Sequence, residues 1–98
     1  MEYNIDKNDA NVSVTVSGRI DTTTAPQLEE AILPEIDGAK EVVIDFKSLE
    51  YISSAGLRVL LSAQKVMNKQ GEMIVRGASS DVKEVFEITG FCGILSIE

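Results

Sequence analysis

The chain has 98 residues, enough for one small domain, and its 44% apolar content is ordinary for a fold with a single core and holds no run of the roughly 20 apolar residues that a membrane span requires. A formal charge of −7 argues against nucleic acid as a partner and favours a protein with a basic surface; no direct membrane contact is expected. Histidine is absent, so no Ser-His-Asp or Cys-His arrangement can be built; Cys92 is the only cysteine, which excludes a disulfide or a cysteine-based zinc site and fits a reducing, cytoplasmic setting.

Glu2 to Ile5 reads as a weak strand, joined by the polar run KNDAN to a second strand, Asn11 to Gly18. In the second strand Val12, Val14 and Val16 alternate with Ser13, Thr15 and Ser17, which predicts one buried and one wet face. Asp21 and the threonines Thr22 to Thr24 are helix-start chemistry, with Pro26 falling in the first turn, where a missing N–H costs little. The helix is expected to run to about Leu33 on a face of Ala25, Leu28, Ala31 and Ile32, with Pro34 ending or kinking it. IDGAK turns the chain into EVVIDF, Glu41 to Phe46, a dense β-branched strand, and KSLEY reads as a polar link out of it.

A second helix begins at Ser54 or Ala55 and continues to about Lys69. Leu57, Leu60, Leu61 and Met67 are expected on one face and Arg58, Ser62, Lys65 and Lys69 on the other, with Gly71 as a left-handed cap. Glu72 to Val75 is a further strand. Ser79, Ser80 and Asp81 open a third helix whose buried set is Val82, Val85, Phe86 and Ile88; Gly90 stops it, Cys92 is expected to be a partly buried small hydrophobe, and Gly93 to Ile97 is a short last strand. The order β-β-α-β-α-β-α-β implies a single α/β domain over residues 1–98. Its sheet is mixed and mostly parallel, with an antiparallel edge hairpin and helices packed mainly on one face.

The stretch YISSAGLRVLL carries the functional question. Ser53 and Ser54 fall just past the C-terminal end of a strand and at a helix N-terminus, where N–H groups and the helix dipole favour an anion. They could equally be caps and nothing more. Gly56 permits close backbone approach. Asp21 could cap the first helix. Arg58, four residues past Ser54, could pair with a phosphate there, meet an acidic patch on a partner, or stand as a solvated side chain. No Gly-rich loop suggests a nucleotide or dinucleotide cofactor, no cofactor is expected, and an enzyme would have to work with carboxylates, lysines and hydroxyls alone.

Four segments in order, SGRIDTTTAPQLEEAI, KEVVIDFKSLEYISSAGLRVLLSAQKV, GEMIV and SSDVKEVFEITGF, resemble the STAS domain family, specifically the bacterial anti-sigma factor antagonists. The resemblance implies a phosphorylation-switched binding module, not an enzyme. Unphosphorylated, such a module binds an anti-sigma factor, usually a serine kinase with a GHKL-type fold, and so releases a sigma factor; a serine phosphatase restores the bound form. Carried over, the phosphorylated residue is Ser54. The family usually has aspartate just before it, whereas this chain has Ser53, a second candidate hydroxyl. The implied partner-binding set is Asp21, Ser53, Ser54, Gly56, Leu57 and Arg58. Two other classes are weighed against this one: a STAS subunit supporting the ATPase of a lipid-transport complex, and a small hydrolase or transferase using Ser54 or Ser53.

Overall fold

In the computed structural model, which describes residues 1–98, the alternation of the second strand is realised side chain by side chain. Val12, Val14 and Val16 are at most 1% exposed, whereas Ser13 and Thr15 face solvent and Ser17 is half-exposed. This strand, β2 (Asn11–Ile20), pairs antiparallel with β1 (Glu2–Asn8), and their register runs unbroken from Glu2↔Ser17 to Asn8↔Asn11. The remaining strands, β3 (Glu41–Ile52), β4 (Glu72–Arg76) and β5 (Ser96–Ile97), are parallel to β2, and the sheet order is β1-β2-β3-β4-β5. Each parallel step is bridged by a helix: α1 (Ala25–Ile36), α2 (Ser54–Asn68) and α3 (Ser80–Thr89). Crossovers of one hand, taken in sheet order, deliver all three helices to the same side. There, Leu28 and Ile32 of α1, Leu60 and Met67 of α2 and Phe86 of α3 join the inward valines, Ile44 and Phe46 in one core. The opposite face stays without helices, as the serine–threonine alternation requires.

Several elements exceed or depart from the sequence reading. KSLEY is strand, not link: β3 continues through it for 12 residues to Ile52, matched by β2 running on to Ile20. Register shifts between Thr15 and Ser17 and between Gly18 and Arg19 mark irregular pairing here. Each extra residue flips the in–out alternation, so the buried positions become Phe46, Leu49 and Ile52, three apart. Helix α1 does not stop at Leu33 but passes through Pro34 to Ile36, which has 0% exposure. Burial of Ile36 carries the last turn past the proline.

Gly71 is not a left-handed cap, since its φ is not positive; a side chain there would collide with the Lys40 carbonyl, which accepts from Glu72 N at 3.0 Å. Ala31 and Leu61 are only half-buried. Ile88 is 77% exposed and not part of the α3 core face, and Cys92 is exposed rather than partly buried. The last strand shrinks to Ser96–Ile97 because a 3-10 turn occupies Phe91–Gly93. No helix is long and apolar enough to cross a membrane.

Candidate functional site

The long β2–β3 ribbon ends where the serines begin. Ile20 and Ile52 are register partners at its tip, and Ser53 N donates to Ile20 O at 2.8 Å, tying the start of α2 to the end of β2. Gly56 makes the tie possible. A Cβ at that position would lie 2.6 Å from Ile52 Cγ1 and 2.7 Å from Ile20 Cγ2, too close for any side chain. The glycine therefore lets the first turn of α2 rest directly on two buried isoleucines.

The two hydroxyls have different jobs. Ser53 is the N-cap of α2, in extended conformation, and its Oγ accepts from Gly56 N at 3.4 Å while its carbonyl accepts from Leu57 N at 3.0 Å. Ser54 is the first helical residue, is exposed, and is not the source of the cap bond. A group at Ser54 thus meets solvent, the N–H groups of the first turn and the positive end of the helix dipole.

Asp21 follows Ile20 directly, so the same tie brings its loop alongside Ser53. Its Oδ1 accepts from the backbone N–H groups of Thr23 and Thr24, both at 3.0 Å, and from Thr24 Oγ1 at 3.2 Å. Thr24 Oγ1 in turn accepts from Asp21 N at 2.9 Å, and its single proton is shared between Asp21 Oδ1 and Arg19 O, the latter 3.0 Å away. Asp21 therefore organises the turn that leads into α1, although Thr24 occupies the N-cap position itself. The Thr24 N–H, with smaller help from Thr23, the Thr24 hydroxyl and the Arg19 charge, outweighs desolvation and holds the Asp21 carboxyl below its ordinary value. The carboxylate stays ionised beside the helix that begins at Ser54.

The remaining site residues separate into surface and support. Arg58 is exposed and, with Ala55 and Val59 of α2 and Ala25, Pro26 and Glu29 of α1, lines a shallow groove of about 190 Å³. Gly56 and Leu57 are buried, Leu57 at 5% exposure. They support the docking candidates from beneath and offer little surface of their own. One feature of this end of the domain escaped the sequence reading: the Arg19 guanidinium stacks over Tyr51, 4.3 Å from the ring centroid. The two are register partners on the helix-free face. Only recognising KSLEY as strand would have paired them.

A small α/β domain with helices on one face of a mixed sheet, and a capped, glycine-seated helix start at the end of its longest strands, is the architecture of the STAS domain. The STAS domain family model matches residues 2–98, and the chain belongs to that family. It is 39% identical over 99 residues to a Bordetella bronchiseptica protein named "Putative anti-sigma factor antagonist BtrV"; the match covers 99% of this chain and 85% of that one. Among solved structures, an anti-sigma factor antagonist from Mycobacterium paratuberculosis superposes with a TM-score of 0.88 at 28% identity, covering 98% of this chain and 83% of the other. The Bacillus protein SpoIIAA shares the fold at lower identity. Its unphosphorylated form gives a TM-score of 0.84 at 18% identity over 99% of this chain and 88% of its own. Its phosphorylated form gives 0.77 at 17% over 99% and 91%.

Proposed function

We propose that this chain is an anti-sigma factor antagonist whose binding is switched by phosphorylation of Ser54. The observation that carries the reading is the division of labour at the start of α2: Ser53 holds the cap bond, and Ser54 stands exposed one residue on. The relationship to named anti-sigma factor antagonists supports it. Unphosphorylated, the domain docks an anti-sigma factor with a GHKL-type serine kinase fold through Ser54, Arg58 and the Asp21 loop, in the cytoplasm. The partner is then its kinase, a serine phosphatase reverses the mark, and the chain is substrate rather than enzyme.

Charge supplies the switch. A phosphoserine adds about −1.5 to −2 charges at neutral pH. At a helix N-terminus that charge is tolerated by its own domain, often favourably by about 0.3–1 kcal/mol. Inside a docked interface it is desolvated, and it lies on the side of the domain where Asp21 is kept ionised. A penalty of about 3 kcal/mol weakens binding more than a hundredfold.

The test has two arms. Incubation with the cognate kinase and ATP, followed by peptide mapping, is expected to find phosphate on Ser54; phosphate confined to Ser53 would sink the assignment. Calorimetric titration of the anti-sigma factor is expected to show weaker binding for Ser54→Glu and Arg58→Glu, with Thr15→Glu, on the helix-free face, binding like wild type. The reverse ranking would move the interface onto the sheet.

A further inference from the structure

Strand β1 forms one edge of the sheet, and its outer side has no partner strand. Exposed edges are usually guarded by charged side chains, proline, a bulge or short length; β1 has only the first of these, in Glu2, Asp6 and Lys7. This one is seven residues long, contains no proline, and pairs with β2 without a register shift. Its outward hydrogen-bonding groups can be identified. Asn8↔Asn11 closes a hairpin with only Asp9 and Ala10 between, so that pair must exchange its own bonds across the turn. Alternation then assigns Asp6, Asn4 and Glu2 to β2 and leaves the N–H and C=O groups of Tyr3, Ile5 and Lys7 pointing away from the sheet.

Beside that edge runs a groove of about 400 Å³, floored by Tyr3 and Ile5 and walled by Glu30, Ala31, Pro34 and Glu35 of α1. Its floor is apolar and Tyr3 is 46% exposed, a large aromatic left uncovered. The charges around it are mostly acidic. Helix α1 carries Glu29, Glu30 and Glu35 and no lysine or arginine, and β1 carries Glu2 and Asp6 against Lys7 alone.

We infer that the β1 edge and its groove form a second docking site, one that accepts an extended, basic segment of a partner protein as a sixth strand. Main-chain bonds to Tyr3, Ile5 and Lys7 supply the pairing, as in other cases of strand addition. Alternate apolar side chains of the incoming strand enter the groove over Tyr3, Ile5, Ala31 and Pro34. Its basic side chains face Glu2 and Asp6 on the helix-free side, and flanking ones reach Glu30 and Glu35. A second copy of this chain fits less well, because pairing two β1 edges would set two acidic α1 helices side by side. The site is lined by residues other than those at Ser54, so one partner could hold both, or two partners could each hold one.

The probe is a seven-residue peptide alternating lysine and valine, titrated into the full-length protein and followed by amide chemical shifts. The control is the same peptide N-methylated at alternate residues, which keeps the charge and removes one pairing edge. Saturable shifts centred on Tyr3, Ile5 and Lys7 are expected, with their amides slowed in hydrogen exchange. The N-methylated peptide, and the Glu2→Lys/Asp6→Lys double variant against the unmodified peptide, should each bind at least tenfold more weakly. No saturable binding overturns the inference. So do equal affinity of the two peptides, which would reduce the effect to unspecific charge attraction, and shifts centred on α2. A dimer joined through β1 in sedimentation of the protein alone would assign the edge to a second copy, and would also overturn it.

Discussion

Replacing Gly56 with alanine tests whether the start of α2 is seated as described. Helix propensity by itself favours the change by about 1 kcal/mol. Packing opposes it. The new Cβ would approach Ile52 Cγ1 to 2.6 Å and Ile20 Cγ2 to 2.7 Å. Neither atom is the end of a flexible chain. Both belong to β-branched side chains that are stiff at χ1, and the residues are buried at 2% and 0% exposure. Overpacking of this kind costs about 3 kcal/mol at its upper end. The net expectation is a loss of about 2 kcal/mol, and at roughly 4–8 °C per kcal/mol for a domain of this size the melting point should fall by about 8–16 °C. Gly93 supplies the control, because a Cβ there meets nothing within 4 Å and its φ is not positive, so Gly93→Ala should stay within about 0.5 kcal/mol of wild type. Urea and thermal unfolding read both. A Gly56→Ala protein as stable as wild type, or more so, would mean that α2 does not rest on Ile20 and Ile52. The geometry assigned to Ser53 and Ser54 would fall with it.

The paired hydroxyls should be separable in the same assays: Ser53→Ala is expected to lose about 1 kcal/mol with its cap, and Ser54→Ala to change little. Equal losses would contradict the assignment of the cap. Because the Asp21 carboxyl is held below its ordinary value in the fold, its contribution is complete above the unfolded value near 3.9 and disappears as pH falls through the lower folded value. The stability difference between wild type and Asp21→Asn should therefore shrink steadily on acidification below about pH 4; a difference independent of pH in urea titrations would refute the role given to the ionised group. Gly71→Ala should destabilise although its φ is ordinary, since its Cβ would strike the Lys40 backbone; unchanged unfolding would contradict that close approach.

The site was legible in the sequence where chemistry is local. Serine before a leucine-rich helical run specifies a cap, and an aspartate ahead of threonines a helix start, without reference to the rest of the chain; the close approach at Gly56 is to the Ile20 and Ile52 side chains and not to backbone, and the cap of α1 is Thr24 and not Asp21. The fold was legible where periodicity is clean, as in Val12, Val14 and Val16. It was obscured where register slips, because Lys47, Ser48 and Glu50 look like a loop unless the irregular pairing with β2 is known. Pro34 misled because a local preference lost to the burial of Ile36 two residues later. Ile88 was assigned inward on hydrophobicity although it lies two residues, some 200° of helix, beyond Phe86. Its 77% exposure follows from that angle. The Arg19–Tyr51 stack and the groove beside β1 depend on residues far apart in the chain, and no local pattern announces them.

The separation of cap from exposed hydroxyl at the start of α2 has a consequence for reversibility. Under the switch proposed above, a phosphate on Ser54 would break no bond that Ser53 makes, and its removal would restore none. On that proposal the domain would be written and wiped repeatedly without any folding work being done on it. Its record of the last kinase or phosphatase encounter would then reside in a single ester linkage, not in a rearranged chain.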